Sequence, residues 1–398
     1  MKTFGGSFRR YINLILLMLF MSVSFFACGK AQKTDKKEKT NELFGHKIKE
    51  SMTLSYAKEY SVDYYEGGLT LINIGEDKLL LLDEGVEKPS GAEAEGYMIL
   101  QKPFDNIYLA SSSSMDYFSA LGELNKVTMT STDIDDWSLN EVITSLQNEE
   151  MLYVGKYSAP DYEYILDEGC SLAIENTMIY HSPETKEKLE ELGIPVLVEK
   201  SSREVDPLGR LEWIKLYGLL MDKTEIAEKI FNDECSKLNA IEERIKNDDD
   251  NSGKNLTAVC FYITASGIPS VRNPEDYLTK LVRKAGFKYS IDNISGNENK
   301  TFINMQMEQF FADSCDTDVM IYSASFEIAP ANITELIEKD EMLKEFKAVE
   351  EKNVWCYNID IFQNPTKMAE MTEEFYKIYE FTLNGGDEPE LVYFYRLK

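Results

Sequence analysis

Few side chains in this sequence have the type and spacing to do chemistry. Histidine occurs only at His46 and His181, too few for a three-histidine zinc site. A Ser–His–Asp triad would have to use His181, and no GxSxG elbow is present. Glycine-rich phosphate loops of Walker or Rossmann spacing are also missing. The six cysteines include no CxxC pair, and setting Cys28 aside leaves an odd number, which suggests neither a zinc knuckle nor a disulfide framework. Carboxylate, arginine and tyrosine chemistry remains. With Asp+Glu 70 against Lys+Arg 42 and a net charge of −28, acid pairs can be drawn almost anywhere, and a nucleic-acid partner is disfavoured because phosphates need a basic face.

The densest constellation is "SREVDPLGRLEWIK", residues 202–215. Much of it is local grammar. Asp206 stands at an N-cap position and Pro207 at the first helical position. Leu208, Leu211, Ile214, Tyr217 and Met221 mark one apolar face. On that face Trp213 packs, while Glu212 and Lys215 are expected to face solvent. Arg203 and Arg210, flanking a strand-to-helix loop, are left as the functional candidates.

The elements that must position such residues follow from periodicity. Residues 1–27 carry Lys2, Arg9 and Arg10 before an apolar run, the pattern of a secretory signal. Ala27 before Cys28 resembles a lipobox, so Cys28 is expected to become a lipidated N-terminus that anchors the protein to the cell membrane. A lysine-rich, polar tether follows over 28–51. Residues 52–102 alternate about Gly67-Gly68 and Gly75, predicting an antiparallel β extension. Short apolar strands then alternate with helical patterns over 103–222, and again over 249–398, predicting two α/β lobes with mainly parallel sheets. A linking helix is expected over 223–248, with apolar Ile226, Ile230, Cys235, Leu238, Ile241 and Ile245.

The series "YLASSSSMDYFSALGEL", "VGKYSAPDYEYIL", "LEELGIPVLVE", "DPLGRLEWIKLYGLL", "AEKIF" and "MEQFFADSCDTDVMIY" resembles the binding proteins of ABC importers for iron–siderophores, haem and vitamin B12. The likeness spans nearly all of the chain beyond residue 100 and rests on order and spacing rather than on one motif. It implies two Rossmann-like α/β lobes joined by a rigid helix, with ligand captured in the cleft and passed to a permease and its ATPase. It implies no enzymatic activity and no resident cofactor, the ligand being an iron chelate, haem or corrinoid, and it implies a monomer. Glu163 and Glu308 match the lobe-top glutamates that dock on permease arginines.

Ligand contacts are expected on loops at the C-terminal ends of strands. These are Ser112 and Ser113, Trp137, Tyr157, Tyr180, His181, Arg203 and Arg210 in the first lobe, and Tyr262, Arg272 and Tyr322 in the second. Were the ligand haem, Tyr180 or His181 is a candidate axial ligand; the plainer reading of His181 is a surface-loop residue. An extracytoplasmic carboxylate-dependent hydrolase or a surface sensor on the same fold stays open at this stage.

Overall fold

Period-two alternation about two glycine turns makes the first element a meander. Strands β1 (His46–Ser51), β2 (Tyr60–Tyr65), β3 (Leu69–Ile74) and β4 (Asp77–Leu82) pair antiparallel in sequence order. Gly67, Gly68 and Gly75 all have positive φ, the backbone state these tight turns need. Residues 83–97 then cross back, and β5 (Met98–Gln101) joins β4 in parallel. Tyr60, Val62, Ile72, Ile74, Leu79, Leu81 and Leu100 face the main hydrophobic core. The computed structural model describes residues 42–247, 255–292, 294, 300–324, 329–357 and 360–398. The signal segment, Cys28 and residues 29–41 of the expected tether lie outside them, whereas its last residues, 46–51, are not a tether but strand β1 of the sheet.

The first lobe holds β6 (Ile107–Leu109), β7 (Val127–Thr130), β8 (Leu152–Tyr153), β9 (Ala173–Glu175) and β10 (Val196–Val198), in the order β10-β9-β6-β7-β8. Every pair is parallel. Strands β6, β9 and β10 are buried throughout, as continuous apolar runs in a two-sided parallel sheet must be. Helices α1 (Met115–Leu121), α2 (Asn140–Gln147), α3 (Tyr162–Asp167) and α4 (Pro183–Glu191) are the crossovers.

Asp206 caps the next helix as expected, accepting the Leu208 amide at 2.9 Å, with Pro207 first in the helix. The helix breaks at Trp213 into α5 (Pro207–Glu212) and α6 (Ile214–Leu220). The linking helix α7 runs Thr224–Asn247, about 36 Å at 1.5 Å per residue. Its buried stripe is Ala227, Phe231, Glu234, Leu238 and Ile241, at alternating spacings of three and four. Ile226, expected in the stripe, is 43% exposed. Glu234 takes an inward place because its carboxylate accepts the Ala369 amide at 3.2 Å.

The second lobe's sheet contains β11 (Thr257–Ile263), β12 (Pro269–Arg272), β13 (Lys288–Tyr289), β14 (Phe302–Asn304), β15 (Val319–Ser323), β16 (Val354–Tyr357) and β17 (Phe394–Arg396). The order is β14-β12-β11-β15-β16-β17, with β13 also on β11. Pairs β11–β13, β11–β15 and β15–β16 are parallel; β11–β12, β12–β14 and β16–β17 are antiparallel. The mixed character arises at Thr264–Ile268, where a tight turn returns the chain as β12. Helices α8 (Tyr277–Lys284), α9 (Met307–Ser314), α10 (Ile333–Lys339), α11 (Lys347–Glu350), α12 (Asp360–Gln363) and α13 (Met368–Asn384) complete the lobe. Helix α7 packs on α6 and α13, tying the two lobes together.

Candidate functional site

The stretch around residues 199–215 is where the three parts of the protein meet. Glu212 is wholly buried, not solvent-facing. Its carboxylate accepts the backbone amides of Ser55, Tyr56 and Ala57 at 2.8–3.0 Å and pairs with Lys215 at 3.1 Å. Glu204 accepts the amides of Lys58 and Glu59, each at 2.9 Å, and the Trp213 indole N–H at 3.1 Å. Lys215, also expected outside, is 5% exposed and lies over the Phe231 ring. Lys200 reaches the turn between β3 and β4, donating to the Ile74 carbonyl at 3.0 Å. A Cβ on Gly75 would stand 2.6 Å from its Nζ, so that approach requires glycine. These acids thus bind backbone N–H groups of residues 55–59, partners about 150 positions away that no local pattern announces.

Between the lobes lies a buried polar centre. Arg210, on α5, is 6% exposed and forms no ion pair among the described residues. Its guanidinium stacks 4.1 Å from the Tyr277 ring centre. Arg272, at the end of β12, is wholly buried 5.5 Å from the same ring. It pairs with Asp276 at 2.6 Å and donates to the Tyr357 hydroxyl at 2.7 Å. Arg210 Nε, Arg272 Nη2 and the Tyr277 hydroxyl are buried with no hydrogen-bond partner among the described residues. Native interiors rarely leave so many donors unmatched, least of all charged ones. Glu199 is buried alongside. It accepts the Ser111 hydroxyl at 3.1 Å and the Ser201 amide at 2.6 Å, and burial raises its pKa against the pull of those bonds and of Arg210.

An open pocket of about 430 Å³ adjoins this centre. Ser202, Arg203, Glu204 and Val205 line it from the first lobe, Asn273, Glu275 and Asp276 from the second, and Glu59 from the β extension. Tyr180 stands 46% exposed beneath Lys200 and Arg203, which lie 5.9 and 5.8 Å from its ring centre. His181 is exposed at the end of the same 3-10 turn.

Away from the pocket, the two lobes are joined directly. The Gln363 carboxamide oxygen accepts from the Ser138 amide and hydroxyl, each at 2.8 Å, and its NH2 donates to the Asp136 carbonyl at 2.8 Å. Asp116, on α1, accepts the Thr366 amide at 2.7 Å, and burial raises its pKa to about 6. Trp137 sits inside this seam, 6% exposed, its indole N–H bonded to the Thr132 carbonyl at 3.2 Å.

The structure therefore brings Arg203, Arg210, Arg272 and Tyr180 toward one region. Ser112 and Ser113 are half-buried on the turn after β6, against α12. Tyr157 packs half-buried on the smaller core of the first lobe. Tyr262 packs edge-on to Phe302 and Tyr322 edge-on to Phe261, the latter fully buried. Glu163 and Glu308 are exposed, each in the first turn of its helix, α3 and α9. Tyr277 and Glu59 were missed by sequence reasoning. Tyr277 follows an N-capping Asp276 and looks like the first residue of an amphipathic helix; only the fold sets it between two arginines.

A model of the periplasmic binding protein family matches residues 110–358, and the chain belongs to that family. Such proteins bind solutes outside the cytoplasm and work with a permease and its ATPase; they are not enzymes, which removes the hydrolase reading. An uncharacterized lipoprotein of Methanocaldococcus jannaschii is 22% identical over 340 residues, 78% of this chain and 77% of that protein. A periplasmic heme-binding protein from Pseudomonas aeruginosa superposes with a TM-score of 0.57 at 15% identity, covering 75% of this chain and 99% of that one. An ABC-type Fe3+-hydroxamate transport protein from Saccharomonospora viridis gives 0.51 at 17% identity, covering 70% and 93%. These likenesses concern the two-lobed fold.

Proposed function

We propose that this protein is a lipid-anchored, monomeric solute-binding protein of an ABC importer, and that its ligand is an iron complex such as a ferric siderophore, or haem or a corrinoid. One observation carries the ligand reading: two buried arginines, Arg210 and Arg272, flank Tyr277 at the lobe junction with N–H groups unmatched by protein acceptors. A guanidinium is a rigid donor fork suited to oxygen-rich anionic groups. Arg203, which lines the pocket and lies over Tyr180, extends the same chemistry. The heme-binding and Fe3+-hydroxamate neighbours support the class. The lipoprotein relative supports anchoring through Cys28. Residues 103–222 and 249–398 act as the two lobes, 223–248 as the link.

Permease docking falls to Glu163 and Glu308. Each is an exposed acid in the first turn of a helix, free to meet an arginine partner on the permease. Titrating the purified protein with ferric siderophores, haem and cobalamin by intrinsic fluorescence tests the reading. Saturable binding of one class is expected; failure of all three sinks it.

A further inference from the structure

The pocket has a wall that the family segment does not supply. Glu59 lies before residue 110, where the family match begins, yet it lines the pocket with Arg203, Asn273 and Lys300. Its backbone is fixed on both sides. Its own amide and that of Lys58 are held by Glu204, and those of Ser55–Ala57 by Glu212. The next residue, Tyr60, packs at a tilt against Trp213, ring centres 4.8 Å apart, and donates to the Glu212 carbonyl at 2.9 Å. So buried carboxylates of the first lobe carry Glu59 to the pocket.

The other pocket acids are engaged. Asp276 pairs with Arg272 at 2.6 Å, Glu204 binds amides and the indole, and Glu275 lies 3.7 Å from Lys280. The half-buried Glu59 side chain has no hydrogen-bond or ion-pair partner among the described residues. A carboxylate so placed attracts a cation and repels a polyanion, and it does so more strongly as the pocket closes and sheds water. Arg203, which lines the same pocket, asks for oxygen acceptors, so the two sides of the site ask for different chemistry.

We infer that Glu59 is a specificity-determining residue, selecting a chelate with an uncharged oxygen-rich core and a cationic arm such as an ammonium. The inference rests on the iron-chelate reading above. Two probes isolate it: ferrioxamine B, a neutral ferric trihydroxamate core ending in an ammonium, and its N-acetylated form, which lacks that charge. The wild-type protein is expected to bind the ammonium form at least about tenfold more tightly, about 1.4 kcal/mol. Glu59→Gln is expected to abolish the difference at unchanged Tm, and Glu59→Asp to keep its direction. Equal affinities in the wild type, or a difference that survives in Glu59→Gln, overturns the inference. If neither probe binds but haem or cobalamin does, the role of Glu59 falls while the importer reading stands. If nothing binds, both fall.

Discussion

Glu212 is buried in a helix of ordinary amphipathic pattern, and its three backbone amide partners come from residues 55–57. Glu212→Ala would leave those amides without their acceptor and deprive the Lys215 ammonium of its nearest carboxylate. A loss of about 3 kcal/mol is expected by urea unfolding; a solvent-facing glutamate would cost under about 0.5 kcal/mol. Glu175 behaves differently. It is wholly buried at the end of β9, both carboxylate oxygens lack partners among the described residues, and burial raises its pKa to about 8. The folded state therefore holds this proton where the unfolded chain has released it. The contribution to stability is full below about pH 4.5 and is lost as pH rises toward 8. The wild-type Tm should fall across that range more steeply than that of Glu175→Gln; parallel Tm–pH profiles would refute the assignment.

At the scale of elements, patterning and placement separate. The meander over residues 60–82 was legible because alternation and glycine turns are local properties, and so was the capped helix at Pro207. The strand Pro269–Arg272 was not, because four residues of mixed type become a strand only when β11 and β14 flank them. The stripe of α7 was legible in part: Leu238 and Ile241 are buried as expected, but Ile226 is exposed and Glu234 turns inward because the start of α13 offers it an amide. The site was legible only in outline. Arg203 and Arg210 were found by their place beside a strand-to-helix loop, whereas Glu59 reaches the pocket only through partners far along the chain. Gln363 makes three hydrogen bonds across the lobes. Gln363→Ala should speed amide exchange by at least about tenfold at Ser138 and over 360–367, with the β meander unaffected as an internal reference. Unchanged exchange at Ser138 would show that Gln363 does not hold the seam.

In the whole molecule, two lobes on a stiff link meet a β extension whose Glu59 lines the pocket. A 24-residue helix packed on α6 and α13 limits how far the lobes swing, so recognition should alter side chains and seam contacts more than lobe orientation. Docking is separable from capture. Glu163→Ala with Glu308→Ala should leave ligand affinity unchanged and reduce uptake in whole cells by at least about tenfold; equal loss of both would place these acids in the cleft instead. The central claim is that Arg210, which has the Glu199 carboxyl as a charged neighbour but no ion pair among the described residues, is kept buried because a ligand supplies its hydrogen-bond partner. Removing a buried charge that makes no ion pair should cost the fold little, so binding and stability part company there. The most direct measurement is a parallel titration of wild type and Arg210→Gln with whichever ferric chelate, haem or cobalamin the wild type binds, alongside their Tm values. The account predicts at least tenfold weaker binding at an equal or higher Tm. Equal affinity, or weakened binding explained by a lower Tm, would contradict it.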